Sequence, residues 1–416
     1  MRVQALIFKA DEAGLHIAEI LKEKKKAGLD VRVIVDAASN MDWRTQWMYF
    51  DLKKHGIEVE GYEALYLHWL SGEIDPKDPL RANKRFHDKM WIVDAEDEQA
   101  GRAIVGGLNL ANEYFRVDSE PINRWTDQDV ILRGPIVDDV VAVFDRNYDF
   151  FKELKDKRPG LLNTDNSWKL TRDTLKKIKD AGRPSWRRPE LVEAIDDVLA
   201  KEATLEYAPL TGRFLQSRPR LKETFIRQAY DDLIGRAEKT VFIANAYFIP
   251  SRDLTERLKA AARRGVRVVI LSNSPATNDI RPVALVSRHT YKELLLVNEE
   301  EAVRTLADQG AGLEIYEWSG APFDEGTLHA KFMVTDGTEA IVGSYNLDPR
   351  SERLNSETAL ALRSDVIGGK LQHRFEKELL PKATRITMEQ AKSFRKPKGL
   401  DAKFELLFAL PLKKWL

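Results

Sequence analysis

The chain has 416 residues, 43% hydrophobic and 32% charged, with 66 Lys and Arg against 66 Asp and Glu; this length fits two ordinary domains, and the balanced charge gives none of the basic excess of a dedicated nucleic-acid binder. It has no cysteine, which excludes disulfides, thiolate nucleophiles and zinc–thiolate sites. No apolar run reaches the roughly 18 residues of a spanning helix, and Met1–Phe8 is too short and too soon charged for a signal peptide, so the chain reads as soluble or peripherally bound.

In chain order, an apolar strand over Val3–Phe8 is followed by helical periodicity over Leu15–Lys26, a stop at Ala27-Gly28 and a buried strand over Val31–Val35. Tyr62–Leu70 is rich in aromatic and aliphatic residues. Residues 86–94 then read Phe-His-Asp-Lys-Met-Trp-Ile-Val-Asp, followed by Ala103-Ile-Val-Gly106 and Gly107-Leu-Asn-Leu110. A charged stretch punctuated by prolines, 156–219, reads as a linker with short helices such as Leu191–Ala203. Next come a helix over Lys222–Arg236, a strand over Val241–Ala246, a helix over Leu254–Arg264, a stop at Gly265 and a strand over Val266–Leu271. Residues 328–336 read Leu-His-Ala-Lys-Phe-Met-Val-Thr-Asp, and Ala340-Ile-Val-Gly343 and Ser344-Tyr-Asn-Leu347 follow.

These elements make the chain an internal repeat. His87 to Asn109 is 22 positions and His329 to Asn346 is 17; the extra residues fall in the polar stretch after Asp94, which reads as a longer hairpin loop. Strand–helix–strand order in each half predicts α/β units with mostly parallel sheets. The expected organisation is a first lobe over 1–155, the linker over 156–219, a second lobe over 220–385 and a C-terminal tail over 386–416. The first half starts almost on its strand, so the helix matching Lys222–Arg236 is expected to be missing from it.

His-x-Lys on a strand puts an imidazole and an ammonium on one face, because side chains alternate with period 2. Asn109 and Asn346, just past the next turn, each add a neutral donor. Two copies related by a pseudo-twofold supply two His, two Lys and two Asn around one anion, which suits a phosphodiester. Lys89, Lys331, Asn109 and Asn346 would hold the non-bridging oxygens. One His would attack phosphorus, and the other would protonate the leaving alcohol and deprotonate the incoming one; symmetry leaves open which is which. No metal and no cofactor is called for. A nucleophilic His needs its tautomer fixed, and Asp127 and Glu357, each six residues before an Arg (Arg133, Arg363), occupy equivalent positions to do so. Asp94 and Asp336, each between a strand and a turn, take structural roles.

With these residues the chain resembles the phospholipase D superfamily, whose signature is His-x-Lys-x4-Asp-x6-Gly-Ser/Gly-x-Asn, usually twice. His329, Lys331, Asp336, Gly343, Ser344 and Asn346 fit it fully. His87, Lys89, Asp94, Gly106, Gly107 and Asn109 fit it with eleven residues, not six, before the glycines. Gly106–Phe115 and Asn346–Ser351, with Leu354–Glu357, are similar to the bacterial cardiolipin synthase branch. The resemblance covers most of the chain apart from the linker and tail. It implies two phospholipase D-like α/β/α lobes with one shared active site at their interface, and phosphatidyl transfer through a phosphohistidine. It also implies His87 as nucleophile and His329 as general acid/base, with Asp127 orienting the first motif and Glu357 the second. The branch's N-terminal membrane segments are not seen in this sequence.

The expected partners are phospholipids (phosphatidylglycerol, phosphatidylethanolamine or cardiolipin) and a membrane surface, with nucleic acid not favoured; the expected location is the bacterial inner membrane, peripherally, or the cytoplasm. Tyr62–Leu70, Val283–Val297 and Phe404–Leu416 are the segments suited to contact lipid. The alternatives are a hydrolytic phospholipase D or nuclease with the same residues and, from another class, a non-catalytic lipid- or nucleic-acid-binding relative, against which two intact motifs argue.

Overall fold

A computed structural model of the chain describes residues 1–36, 38–40, 42–62, 85–117, 123–157, 207–320 and 325–394. The chain divides into two compact units, one formed by residues 1–119 and 129–206, the other by 120–128 and 207–416.

The first unit contains β1 (Arg2–Ala5), α1 (Glu12–Lys26), β2 (Arg32–Asp36), α2 (Trp43–Lys54), β3 (Glu58–Tyr62), β4 (Met90–Val93), β5 (Arg102–Gly106), β6 (Asp129–Arg133) and α3 (Ile136–Lys157). Its sheet runs β3-β2-β1-β4-β5-β6. Asp11 caps α1 by accepting from the Gly14 N–H, Lys24–Lys26 lie in its last turn, and Gly28 turns the chain out at φ 93°. The apolar side of α1 (Leu15, Ala18, Leu21) packs on Val3, Val33, Val35 and Val59 of the sheet, with Met48 and Leu52 from α2.

The second unit repeats this order at greater length. It contains β7 (Thr211–Ser217), α4 (Phe225–Arg236), β8 (Thr240–Asn245), α5 (Arg252–Arg263), β9 (Arg267–Asn273), α6 (Arg281–Leu295), β10 (Gly312–Trp318), β11 (Lys331–Thr335), β12 (Glu339–Gly343), β13 (Glu357–Arg363), α7 (Asp365–His373), a π-helical turn (Arg374–Leu379), β14 (Ala383–Arg385) and α8 (Met388–Ser393). The sheet order is β14-β10-β9-β8-β11-β12-β13-β7. Ser251 caps α5 on the Leu254 N–H, and Gly265 ends that segment at φ 98°, as Gly28 does in the first unit. β8 and β9 are buried along nearly their whole length, which accounts for their unbroken apolar runs.

The sheets are mixed rather than mostly parallel. β1–β2, β2–β3, β8–β9 and β9–β10 are parallel, and every other pairing is antiparallel. The physical reason lies in the connections. Helical crossovers return the chain parallel, whereas the short turns after Val93 and Thr335 fold each motif strand back as an antiparallel hairpin.

Two boundaries also differ from the sequence reading. Residues 211–217, assigned there to the linker, form an edge strand paired with β13 from Thr211↔Arg363 to Ser217↔Glu357, so the second unit resumes at Tyr207 rather than 220. At the other end, Ile386 and Ala391 are buried in the second core, and Thr387 and Gln390 form a capping box that starts α8. Residues 386–394 are therefore core-packed rather than tail. The rest of the expected linker (158–206, with Leu191–Ala203), the segment past Tyr62 and the tail from 395 lie outside the described residues. Val283–Val297 is a core helix: Val286, Tyr291 and Leu294 are buried, and Arg288 makes a two-pronged ion pair with Glu317 at 2.7 and 2.5 Å. Among the described residues no helix is long and apolar enough to cross a membrane.

Candidate active site

The two motifs are built alike, each within its own unit. His87 and Lys89 immediately precede β4, and His329 precedes β11, which begins at Lys331. In the first unit Lys89 Nζ donates to the His87 carbonyl at 2.9 Å, and in the second Lys331 Nζ donates to the His329 carbonyl. Each ammonium is thereby folded back onto the backbone of its own histidine. His87, Lys89, His329 and Lys331 are all buried, the lysines almost completely. Burying an ammonium is costly unless it meets hydrogen-bond acceptors or an anion.

The asparagines follow the hairpin. A bridge between Phe8 and Leu110 fixes Asn109, and one between Phe248 and Leu347 fixes Asn346; the Lys9 and Ile249 N–H groups donate to the Leu110 and Leu347 carbonyls at 2.9 Å each. Asn109 Oδ1 accepts from the Ile7 N–H at 3.1 Å, while its Nδ2 is buried with no partner among the described residues. Asn346 Oδ1 is likewise buried without one. Unmet buried polar atoms are rare in folded proteins, and each calls for a partner such as water, an ion or a ligand.

The glycines permit close strand approach. A Cβ on Gly106 would lie 2.1 Å from Asp129 Oδ1, and one on Gly343 would lie 2.3 Å from the Thr358 carbonyl. Gly107 and Ser344 follow. Ser344 Oγ donates to Glu357 at 2.5 Å and accepts from the Thr358 N–H at 3.0 Å. Asp94 and Asp336 turn out of their strands at φ 48° and 53°. Asp336 also accepts from the N–H groups of Glu238, Lys239 and Thr240 at 2.8–2.9 Å, which pins the entry to β8.

The sequence matches the family described as "Cardiolipin synthase, PLD-like domain" over residues 2–147 and 230–379, well over half of the chain. The chain belongs to this family. It is 28% identical over 398 residues to cardiolipin synthase C of Escherichia coli K12, covering 90% of this chain and 78% of that one. It is 27% identical over 358 residues to a cardiolipin synthase of Geobacillus thermodenitrificans, of whose length it spans 57%, against 86% of its own. A crystal structure of phosphatidylserine synthase from Haemophilus influenzae Rd KW20 shares the fold at TM-score 0.64 and 18% identity, over 100% of this chain and 90% of that one.

The carboxylate that lies against His329 is not the one the sequence reading gave it. His329 Nδ1 lies 2.6 Å from Asp127 Oδ2, and both side chains are only 5% exposed. The sequence reading gave Asp127 to the first motif and Glu357 to His329. The structure instead packs residues 120–128 into the second unit. Sheet register relates the two carboxylates: Asp129 lies opposite Gly106 as Ala359 lies opposite Gly343, so Asp127 and Glu357 occupy equivalent positions in the repeat. Glu357, fully buried, is held by Ser344, by Ser351 Oγ at 2.7 Å and by Asn355 Nδ2 at 3.3 Å. Burial disfavours the Asp127 anion, but the charges of His329 and Lys331 and the His329 and Gln128 hydrogen bonds outweigh it. Its carboxyl is held below the usual carboxylate range.

Asp127 sits on a strap laced to the second motif. The Thr126 N–H donates to Thr327, the His329 and Ala330 N–H groups donate to Thr126 at 2.7 and 3.0 Å, and Gly326 donates to Arg124. The Trp125 ring lies 5.4 Å from the His329 ring, tilted by 32°. Arg374 holds the far side, donating to the Asp127 carbonyl at 2.8 Å and to Gln128 Oε1 at 2.7 Å. The next residue, Phe375, stacks on Phe242 at 5.1 Å. Arg374 and Phe375 open a π-helical turn, one residue facing the strap and the next the core. Sequence reasoning missed Trp125 and Arg374, because neither repeats in the other half nor shows periodic spacing.

Proposed function

We propose that the protein is a phosphatidyltransferase in which both motifs act on one phosphodiester, moving a phosphatidyl group between phospholipids. The observation that carries this reading is the twice-built His–Lys–Asn set, with its lysines buried beside their histidines in the chain, the Asn109 amide nitrogen buried without a partner among the described residues, and His329 Nδ1 2.6 Å from Asp127. Its relatives' names point to the same chemistry.

His87 attacks phosphorus through its neutral ring nitrogen, and the bond to the leaving headgroup oxygen breaks as protonated His329 delivers its proton there. A phosphatidyl–His87 intermediate remains. His329, now neutral, takes the proton of an incoming alcohol, whose oxygen attacks phosphorus and releases His87. Lys89, Lys331, Asn109 and Asn346 hold the non-bridging oxygens as charge builds on them. Asp127 keeps the His329 proton on the nitrogen facing the carboxylate and stabilises the imidazolium. Repeat equivalence gives Glu357 the matching task for the other imidazole. The cycle calls for no metal. The substrates are phosphatidylglycerol, phosphatidylethanolamine or cardiolipin, met at a bacterial membrane surface that Phe404–Leu416 suits by composition.

The test is incubation of the purified chain, with chelator, with phosphatidylglycerol alone and with added phosphatidylethanolamine, reading lipids by mass spectrometry. Cardiolipin is the expected product. Phosphatidic acid alone would replace transfer by hydrolysis, and no lipid turnover would contradict the reading.

A further inference from the structure

The second unit carries a carboxylate beside its motif that the phosphate chemistry does not use. Asp279 lies on the loop 274–280 that follows β9, and this loop is stitched to the residues just ahead of His329. Asn273 Nδ2 donates to the Leu328 carbonyl at 2.7 Å, the Leu328 N–H donates back to Asn273 Oδ1 at 2.9 Å, and Thr327 Oγ1 donates to the Thr277 carbonyl at 2.8 Å. From the neighbouring strand, Tyr247 stands two residues past Asn245, which is the register partner of Lys331. Its hydroxyl reaches both Asp279 oxygens, at 2.8 and 2.7 Å.

Asp279 is exposed, and among the described residues no Lys or Arg forms an ion pair with it. The surrounding protein desolvates its carboxyl and raises its titration, while the Lys331 charge opposes that rise and Tyr247 donates to the anion. A negative group beside anion-holding lysines weakens their pull on a phosphodiester. Its presence makes chemical sense if it meets a part of the substrate that donates hydrogen bonds. On the reading above, His329 serves the leaving and incoming alcohols, and Asp279 rides on the loop bonded to the two residues just before it.

We propose that Asp279, held by Tyr247, forms a headgroup subsite beside His329 that receives an alcohol carrying a second hydrogen-bond donor, either a neighbouring hydroxyl or an ammonium. This rests on the phosphatidyltransferase reading and adds to it a selection among acceptors. Water and simple alcohols lack the second donor at the right distance, so the subsite also favours transfer over hydrolysis.

The test uses the full chain, chelator, vesicles of acyl-labelled phosphatidylglycerol, and deuterated glycerol, ethanolamine or 1-propanol as soluble acceptors, so that every transfer product differs in mass from the donor. The readout is how the labelled phosphatidyl group partitions between each acceptor and water. Partition is decided after the intermediate has formed, so a slower donor step leaves it unmoved. A hydrogen bond to a charged group predicts that glycerol or ethanolamine outcompetes 1-propanol by about tenfold or more, and the winner tells hydroxyl from ammonium. Asp279→Asn is expected to erase most of that advantage and Tyr247→Phe to reduce it, with Asp279→Glu as a further variant should the amide fail to fold. Unchanged selectivity in a turning-over Asp279→Asn or Tyr247→Phe enzyme, or no selectivity in the wild type, overturns the subsite alone. Absence of any lipid turnover in the wild type overturns the reading beneath it.

Discussion

Removing the charge from Asp127 tests the role of the strap. In Asp127→Asn the side chain keeps its size, but the pair with His329 loses its anion. The two groups are 2.6 Å apart and each is 5% exposed, so water screens little of their interaction. A hydrogen bond to a charged group contributes about 1.5–3 kcal/mol, and unit charges ~4 Å apart at an effective dielectric of 20 attract by about 4 kcal/mol. The imidazolium that protonates the leaving alcohol therefore loses about 2–4 kcal/mol of support. That corresponds to a fall in kcat of roughly 30- to 1,000-fold, at 1.36 kcal/mol per factor of ten. KM should change little, since the phosphate ligands are untouched. The assay is steady-state formation of labelled product from phosphatidylglycerol vesicles, with wild type and variant matched for folding by circular dichroism. A folded Asp127→Asn enzyme with kcat within threefold of wild type would refute the argument.

Three further outcomes are expected. His87→Ala and His329→Ala should each abolish turnover while the melting curve stays cooperative, and substantial activity in either would break the one-site mechanism. Arg374→Gln, which releases the Asp127 carbonyl and Gln128, should lower kcat about tenfold or more through misplacement of Asp127; a rise in KM alone would contradict a positioning role, and Arg374→Lys should restore part of kcat. Asp348, buried as the cap of residues 349–353, has its carboxyl pushed up to about 7, chiefly by burial and further by Glu357. Its folded pKa exceeds its unfolded one, so its contribution to stability falls as pH rises from about 4 through 7. Asp348→Asn, which keeps a capping side chain, should gain in Tm relative to wild type between pH 5 and pH 8; an equal difference at both would refute the assignment.

The motif chemistry was legible because it is local. His-x-Lys, the following hairpin and the Gly-x-x-Asn turn lie within about twenty residues, and the repeat displays them twice. Asp94 and Asp336 announced turns. Long-range pairing was less legible. Equivalence in the repeat identified Asp127 and Glu357 as a matched pair, but it carries no information about which unit a segment packs into, so Asp127 was assigned to the wrong imidazole. β7 was hidden because Thr211-Gly-Arg-Phe-Leu-Gln-Ser217 is a half-polar edge strand that only its partner β13 defines. The strand–helix–strand pattern correctly gave the parallel part of each sheet and said nothing of the hairpins beside it.

The central claim is that His87 carries the phosphatidyl group. It is tested most directly by mixing the enzyme with acyl-labelled phosphatidylglycerol, quenching within one turnover and mapping the labelled peptide by mass spectrometry. The account predicts label on the peptide containing His87, chased from wild type into lipid product by added acceptor. Label on His329, or rapid turnover with no labelled histidine at any quench time, would contradict it.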